Sequence, residues 1–556
     1  MSDGQFYSEI ESQLPCEALF GRIVRSPQKS GILRSVSVQP DGAPPGDTQI
    51  FLLGEIFGGE TRLCYEGEPA ALAVGPDRRR LAELSFRFDV DGGAENEPPA
   101  PKKKSRTNVT AEREAEFDTL FETAAALTQE TWVSEISPFS CKETEGAVAH
   151  ISDGNVTVFT PLADTRKAAE TIGRATRLAP RNISFVSTVP HGKNSNAERY
   201  CELSAVLAAF AAVRTNRTVV ISLTRGEQEE FVENPITVTT KIRTAFDARN
   251  ALIAADIEVS ANFGASCACA DWFLDEALKK SLGIYSARLF SISAEARFSK
   301  SRPRAIDFSM LDAQLFFGIE CHLNKVADLL GESPKTLRLK NISPRLPERE
   351  DAAEGIRKIC GALDDCVRIK IEEFDENDLT KCERKLVSDF EFSPSVFDRK
   401  WSSFRLTNKK RGLLYRRSNL RGTGLSVCFR ESGAGTAFAF CTMEAEVDPL
   451  TYKEEIVAVR LLVDGGRLLN QERAVSAVKA AVQRMVKIMA DDSCAACANI
   501  AIRFLKSDGE AKKIGDLVHS ALPAAFISAV SQALGRTVSD FPIGSRRIFD
   551  ILGETP

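Results

Sequence analysis

Apolar residues recur with two different periods along this chain, and the switches between them divide it. From Phe20 to Val90 short apolar runs (GRIVRSP, TQIFLLGEIFGG, PAALAVG) alternate with turn clusters, and PDRRRLAEL reads as a turn opening a helix. That pattern predicts a small α+β unit over residues 1–90. Residues 91–114, DGGAENEPPAPKKKSRTNVTAERE, hold proline, glycine and charge but almost no large apolar side chain. They read as a linker, with Lys102 to Lys104 as a solvated charge run. Next, GAVAHISDGNVTVFTP predicts a hairpin turning at Asp153-Gly154, TRKAAETIGRATRLAP a helix, NISFVSTV a strand, and Cys201 to Val213 an apolar helix. The loop STVPHGKNSNAERY joins that strand to that helix, where a helix N-terminus offers unpaired N–H groups to an anion. For His191, Gly192 and Lys193 the alternative is an ordinary surface turn.

Helical spacing returns in AQLFFGIECHLNKVADLLGESPKTLRLKN, with Leu315, Phe316, Ile319, Leu323, Val326 and Leu330 on a core-forming face and a stop near Gly331. Further on, TAFAFCTMEAEVDP, EEIVAVRLLVDGGRLLN and ANIAIRFLKSDG read as strands, and QERAVSAVKAAVQRMVKIM and LPAAFISAVSQALG as helices. Between these blocks the charge reverses. Residues 350–398 are acidic and partly helical, whereas Arg399 to Arg430 holds ten Lys/Arg and no Asp or Glu. This run suits a cofactor phosphate or an acidic protein surface better than a nucleic acid, because Trp401, Phe404 and Tyr415 are few and irregularly spaced for base stacking.

The 556 residues give material for more than one domain, and 43% hydrophobic with 27% charged residues is ordinary globular composition. A net charge of -5 points to no nucleic-acid partner. Fourteen scattered cysteines and an N-terminus without a basic-then-apolar leader predict a reduced, cytoplasmic location. The longest smooth apolar stretch is read as Leu203 to Val213, about half of the ~20 residues a spanning helix needs, so no membrane segment is expected. Cys267, Cys269, Cys494 and Cys497 offer four thiolates, but their alanine-rich context suits packing better than a metal, and no metal site is expected.

These segments, in this order, resemble the molybdopterin-binding large subunit of the xanthine dehydrogenase and aldehyde oxidase family. Val24-Arg25-Ser26-Pro27 with Gly67-Glu68-Pro69-Ala70-Ala71-Leu72 is similar to its a/b-hammerhead domain, ECHLNKVADLLGESPKTLRLKN to its helix "EcxxdxlAxxLGxdPxeLRxkN", and DGGRLLN to its "DcGrxiNP" turn. The resemblance implies a mixed α+β fold. It would have a hammerhead-like domain over 1–90, a first molybdopterin-binding-like domain over 115–345 and a shortened second one over 346–556.

The resemblance also implies site residues. Gly192 and Lys193 are what remains of a glycine-rich cofactor loop, and Gln314 is kept from the substrate-pocket segment, where the alternative is a buried hydrogen-bonding glutamine. Gly422 and Gly424, in Arg421-Gly422-Thr423-Gly424, match the start of the second cofactor-binding domain. Asp516 ends Glu510-Ala511-Lys512-Lys513-Ile514-Gly515-Asp516 at the place of the family's catalytic glutamate, the general base; the alternative is a helix-capping aspartate. The stretch bearing the family's GQG pterin loop is missing between Gly435 and AEVDP. The implied cofactor is molybdopterin with molybdenum, and the implied reaction is hydroxylation of an aldehyde or a purine-like heteroaromatic. The implied partners are separate iron–sulfur and FAD subunits within an oligomer. A rival reading is a non-catalytic paralogue that keeps the fold as a scaffold or assembly partner.

Overall fold

The computed structural model describes residues 17–39, 48–92, 97–136, 144–162, 165–188, 197–231, 234–265, 269–304, 308–343, 400–405, 419–432, 435–489, 499–505 and 510–553. The first ninety residues supply β1 (Leu19–Arg25), β2 (Gly31–Val38), β3 (Gln49–Leu52), β4 (Thr61–Leu63), β5 (Pro69–Gly75) and β6 (Phe86–Asp91). β4, β2 and β6 form a three-stranded antiparallel sheet. The other three strands join a different sheet. After β7 (Lys102–Thr107) and β8 (Ala126–Glu135) come β9 (Gly146–Ser152), β10 (Asn155–Thr160), β11 (Ile183–Ser187) and β12 (Val219–Ser222). These combine into a seven-stranded sheet ordered β11-β10-β9-β12-β1-β5-β3. Its central join is parallel, pairing Leu19 with Val219, Phe20 with Val220 and Gly21 with Ile221. β5, PAALAVG, is buried along nearly its whole length, which is why it reads as a continuous apolar run rather than an alternating one. The helix Ala197–Thr215 packs its alanine-rich face on this sheet; Ala205, Leu207, Ala208, Ala209, Ala211 and Ala212 are fully enclosed.

The expected linker over 91–114 is corrected here. Residues 102–107 are β7, the edge of a six-stranded sheet ordered β20-β8-β13-β14-β15-β7, whose remaining members are β13 (Thr237–Phe246), β14 (Leu252–Asn262), β15 (Leu289–Arg297) and, last in the chain, β20 (Asp540–Phe541). The lysines are not merely solvated: Lys102 pairs with Asp271 at 2.6 Å, Lys103 with Glu295 at 3.0 Å and Lys104 with Asp275 at 2.6 Å. Lysines on an edge strand also discourage further strand addition.

The third layer is a four-stranded sheet of β16 (Leu420–Ser432), β17 (Gly435–Asp448), β18 (Lys453–Asp464) and β19 (Asn499–Phe504), in that order. Between it and the six-stranded sheet lie two apolar helices, Phe308–Leu330 and Gly515–Leu534, with Phe316, Phe317, Ile319, Leu323, Phe526 and Val530 all buried. One continuous core runs through both sheets and both helices, so the division expected at residue 346 does not separate two cores. The chain's last strand, β20, returns to pair with β8. Among the described residues the helix Gly515–Leu534 is long and apolar enough, by length and composition, to cross a membrane, but it is buried inside this core.

Candidate functional site

The candidate site is assembled where β16, β18 and the start of the helix Gly515–Leu534 meet. β16 carries Gly422 and Gly424, and neither faces open space. A Cβ at Gly422 would lie 2.0 Å from the carbonyl oxygen of Ala529, and one at Gly424 2.0 Å from that of Ala525. These two glycines let the helix lie backbone to backbone on the strand. Between them Thr423 N donates to Gln532 Oε1 at 2.8 Å, and beyond them Ser426 Oγ donates to the carbonyl of Ala521, one turn before Ala525. The helix is therefore fixed in position along β16.

The DGGRLLN turn fixes the segment that enters this helix. Asp464 Oδ1 accepts from Gly466 N at 3.1 Å, and its Oδ2 accepts from Lys512 Nζ at 3.0 Å. Lys512 N donates to the carbonyl of Gly465 at 2.9 Å. Four residues later Asp516 stands in the first turn of the helix. Its Oδ2 accepts from Arg430 Nη1 at 2.8 Å, the Asp516 side chain being 47% exposed and that of Arg430 27%. One of its two carboxylate oxygens is thus paired with a guanidinium from near the end of β16.

Gln314 lies one layer away and is 3% exposed. Its Nε2 donates to the carbonyls of Ser134 and Ile236, both at 3.0 Å, which ties the helix Phe308–Leu330 to the end of β8. The structure thus brings Asp516 and the Gly422–Gly424 strand together and keeps Gln314 apart, engaged with backbone. Gly192 and Lys193 lie outside the described residues, as do Cys267, Cys494 and Cys497. Among the described residues no cluster of three or more His, Cys, Asp or Glu side chains could hold a metal ion.

Sequence reasoning missed the buried polar centre of the second half. Glu320, fully buried, accepts at Oε1 from Tyr285 Oη (2.7 Å) and at Oε2 from Arg338 Nη2 (2.9 Å), Arg338 Nε (3.1 Å) and the backbone N of Val427 (2.9 Å). Arg338 Nη2 and Asn324 Nδ2 donate to the carbonyl of Leu425 at 3.2 and 2.6 Å. Burial, followed by the charge of Glu320, holds the Tyr285 phenol well above its ordinary range. The glutamate and arginine of ECHLNKVADLLGESPKTLRLKN are therefore an internal ion pair that clasps β16. No local signal set Glu320 and Arg338 apart from the other charged residues of that segment.

A molybdopterin cradle formed from the second half would need backbone open to a ligand. Among the described residues, Gly422 and Gly424 are filled by the helix, Gln314 is spent on carbonyls, and Ser432 pairs with Gly435 so that β16 and β17 are joined through residues 433–434 alone. The described second half does not fit the group.

Comparison with known proteins supplies the context. Residues 100–342 match the molybdopterin cofactor-binding domain. The chain is 24% identical over 299 residues to a probable xanthine dehydrogenase subunit of Bacillus subtilis (strain 168), a match covering 51% of this chain and 40% of that protein. The matched part is thus about two fifths of the length of this relative. Among solved structures, quinoline 2-oxidoreductase from Pseudomonas putida 86 superposes with a TM-score of 0.73 at 13% identity, covering 100% of this chain and 96% of the other. Aldehyde oxidoreductase from Desulfovibrio gigas gives 0.72 at 12% identity, covering 98% and 78%. CO dehydrogenase from Oligotropha carboxidovorans gives 0.70 at 12%, covering 97% and 94%. At such identities these superpositions establish the fold.

Proposed function

We propose that this chain, which carries a molybdopterin cofactor-binding domain and resembles the large subunits of the xanthine dehydrogenase and aldehyde oxidase family, is a structural subunit of an oxidoreductase assembly of that kind. Molybdopterin with molybdenum is the cofactor of the domain type. In this reading the chain keeps the fold and a subunit surface, while hydroxylation of an aldehyde or heteroaromatic substrate takes place on another subunit, with iron–sulfur and FAD proteins completing the assembly in the cytoplasm. The observation that carries it is β17, which runs as one strand from Gly435 to Asp448 where the resemblance expects a long cofactor-binding stretch after Gly435. The capture of Asp516 by Arg430 agrees with it.

A second reading rests on the placement of Asp516, half exposed at the start of the helix Gly515–Leu534 and delivered there by the Asp464–Lys512 contact. An active hydroxylase needs a carboxylate in this frame. One experiment separates the two. The tagged chain is purified from its native host, and molybdenum and oxidised-pterin fluorescence are measured alongside the co-purifying proteins. A structural subunit gives metal and pterin far below one per chain together with constant partner stoichiometry. Near-stoichiometric molybdopterin on the isolated chain overturns this proposal.

A further inference from the structure

Two arginines distant in sequence converge on one turn and one ring. The turn 65–68 offers its carbonyls to both: Arg25 Nη1 donates to Gly67 O and Arg302 Nε to Glu66 O, each at 3.1 Å. Both guanidinium groups also lie over the ring of Phe231, Arg25 at 4.0 Å and Arg302 at 4.8 Å from its centroid. The approach depends on Gly67, at φ +89, because a Cβ there would stand 2.5 Å from the Phe231 ring and 3.2 Å from Arg302 Nε. Arg302 is balanced by Glu230 at 2.8 Å, and Arg304 stands 3.8 Å from Glu135. Arg25 has no such partner: it forms no ion pair among the described residues, and its Nε is buried without an acceptor. A part-buried guanidinium with no ion-pair partner is costly, and burial pulls its pKa down, opposed at longer range by Tyr65, Glu227, Glu145 and Glu230.

These arginines border a cavity of about 390 Å³, within the range of small-molecule sites. Its apolar wall is Ile23, Leu203, Val206 and Leu223. Glu145 also lines it, held by Ser204 Oγ donating to Oε1 at 3.0 Å and by its own backbone N donating to Gln228 Oε1 at 2.9 Å. Burial pushes the Glu145 carboxyl up to about 7, against the effects of Ser204 and Arg25, so this acid compensates Arg25 poorly. The cavity has apolar walls, one guanidinium without an ion-pair partner, a second beside it, and two acids in its lining, Glu145 and Glu202, the latter 3.7 Å from Lys167.

We propose that this cavity binds a small monocarboxylate, its carboxylate taken by Arg25 and Arg302 and its apolar body lying against Ile23, Leu203, Val206 and Leu223. A carboxylate supplies the charge that Arg25 lacks and matches the planar fork of a guanidinium. The site does not depend on whether the chain holds molybdopterin.

The test is isothermal titration of the full chain with benzoate and with hexanoate, using benzamide and inorganic sulfate as comparators. The expected result is saturable binding of at least one carboxylate, about tenfold or more tighter than benzamide or sulfate, and about tenfold weaker in Arg25→Met. Arg302→Met, on a partly exposed side chain, serves as the second variant should Arg25→Met fail to fold, with the same loss expected. Absence of carboxylate binding overturns the proposal, as does equal binding of benzamide or undiminished affinity in a folded variant. Sulfate binding tighter than either carboxylate overturns it as well, since that would assign a plain inorganic-anion site.

Discussion

Arg430 and Asp516, 86 residues apart in sequence, meet at 2.8 Å where the end of β16 passes the first turn of the helix Gly515–Leu534. The pair engages one oxygen of the acidic side chain that the resemblance places as a base. Asp516→Asn and Asp516→Glu are therefore both expected to leave a chain without measurable oxidation of aldehydes or purines. Because the pair is part-exposed, each change should alter stability by no more than about 1 kcal/mol. Oxidation by the wild type that disappears in the Asn variant and increases in the Glu variant would contradict this.

Gly422→Ala and Gly424→Ala test whether these glycines serve packing. Each new Cβ would meet a helix carbonyl at 2.0 Å, and overpacking of this kind costs roughly 1–3 kcal/mol, more where backbone cannot shift. Gly515→Ala, whose Cβ meets nothing within 4 Å, is expected to be neutral or slightly stabilising. Urea denaturation of the three variants gives the comparison, and equal effects at all three positions would refute the packing role.

Removing one partner of the enclosed Glu320–Arg338 pair should be severe. Arg338→Met leaves a buried carboxylate facing Tyr285 and Val427 N without its cation, and about 3–5 kcal/mol is expected to be lost. Glu320→Leu combined with Arg338→Met should recover part of that loss, because no charge is then left unpaired. If the double variant proves as unstable as the sum of the singles, the pair is not the coupled unit its geometry suggests.

Two buried groups give opposite pH dependences. His322, between Thr244 Oγ1 at 2.7 Å and the edge of Trp132, has its pKa pulled by burial, with help from Lys325, down to about 3. The folded state then binds fewer protons than the unfolded one, so its contribution is intact above about pH 6.5 and is lost as pH falls toward 3. Glu145, raised from 4.5 to about 7, acts the other way: its contribution is intact below 4.5 and is lost as pH rises through 7. Denaturation midpoints across pH should therefore decline less steeply on the acid side in His322→Asn, and less steeply toward neutral pH in Glu145→Gln. Profiles parallel to wild type would show that neither group titrates as its surroundings dictate.

The elements most legible in the sequence were those whose apolar period decided a face. The hairpin turning at Asp153-Gly154 is β9 and β10, and the amphipathic helix around Leu315 to Leu330 is present, starting earlier at Phe308. Charge misled where partners lay far away: Lys102 to Lys104 looked solvated because Asp271, Asp275 and Glu295 are some 170 to 190 residues off. The miss around Pro523 is different. The segment LPAAFISAVSQALG reads as a helix from Leu522, yet the helix runs from Gly515 straight through the proline, because burial between the β16–β17 face and the helix Phe308–Leu330 outweighs one lost N–H donor. At the site, RGTG and the run ending in Asp516 were recognisable as segments. That one is clamped on a helix and the other on Arg430 depends on contacts about 90 to 110 residues apart, which no local pattern encodes.

The parallel pairing of β1 with β12 spans 200 residues, and this has a kinetic consequence. On the ribosome, β1 emerges long before Val219 to Ile221, so during synthesis its partner edge stays unoccupied. Late closure of so distant a pairing is slow, and an open edge carrying Leu19, Ile23 and Val24 invites association with other nascent chains. A fragment truncated before residue 219 should consequently aggregate even though its own β1–β5 and β2–β6 pairings can form, whereas one extending past Ser222 can close this edge.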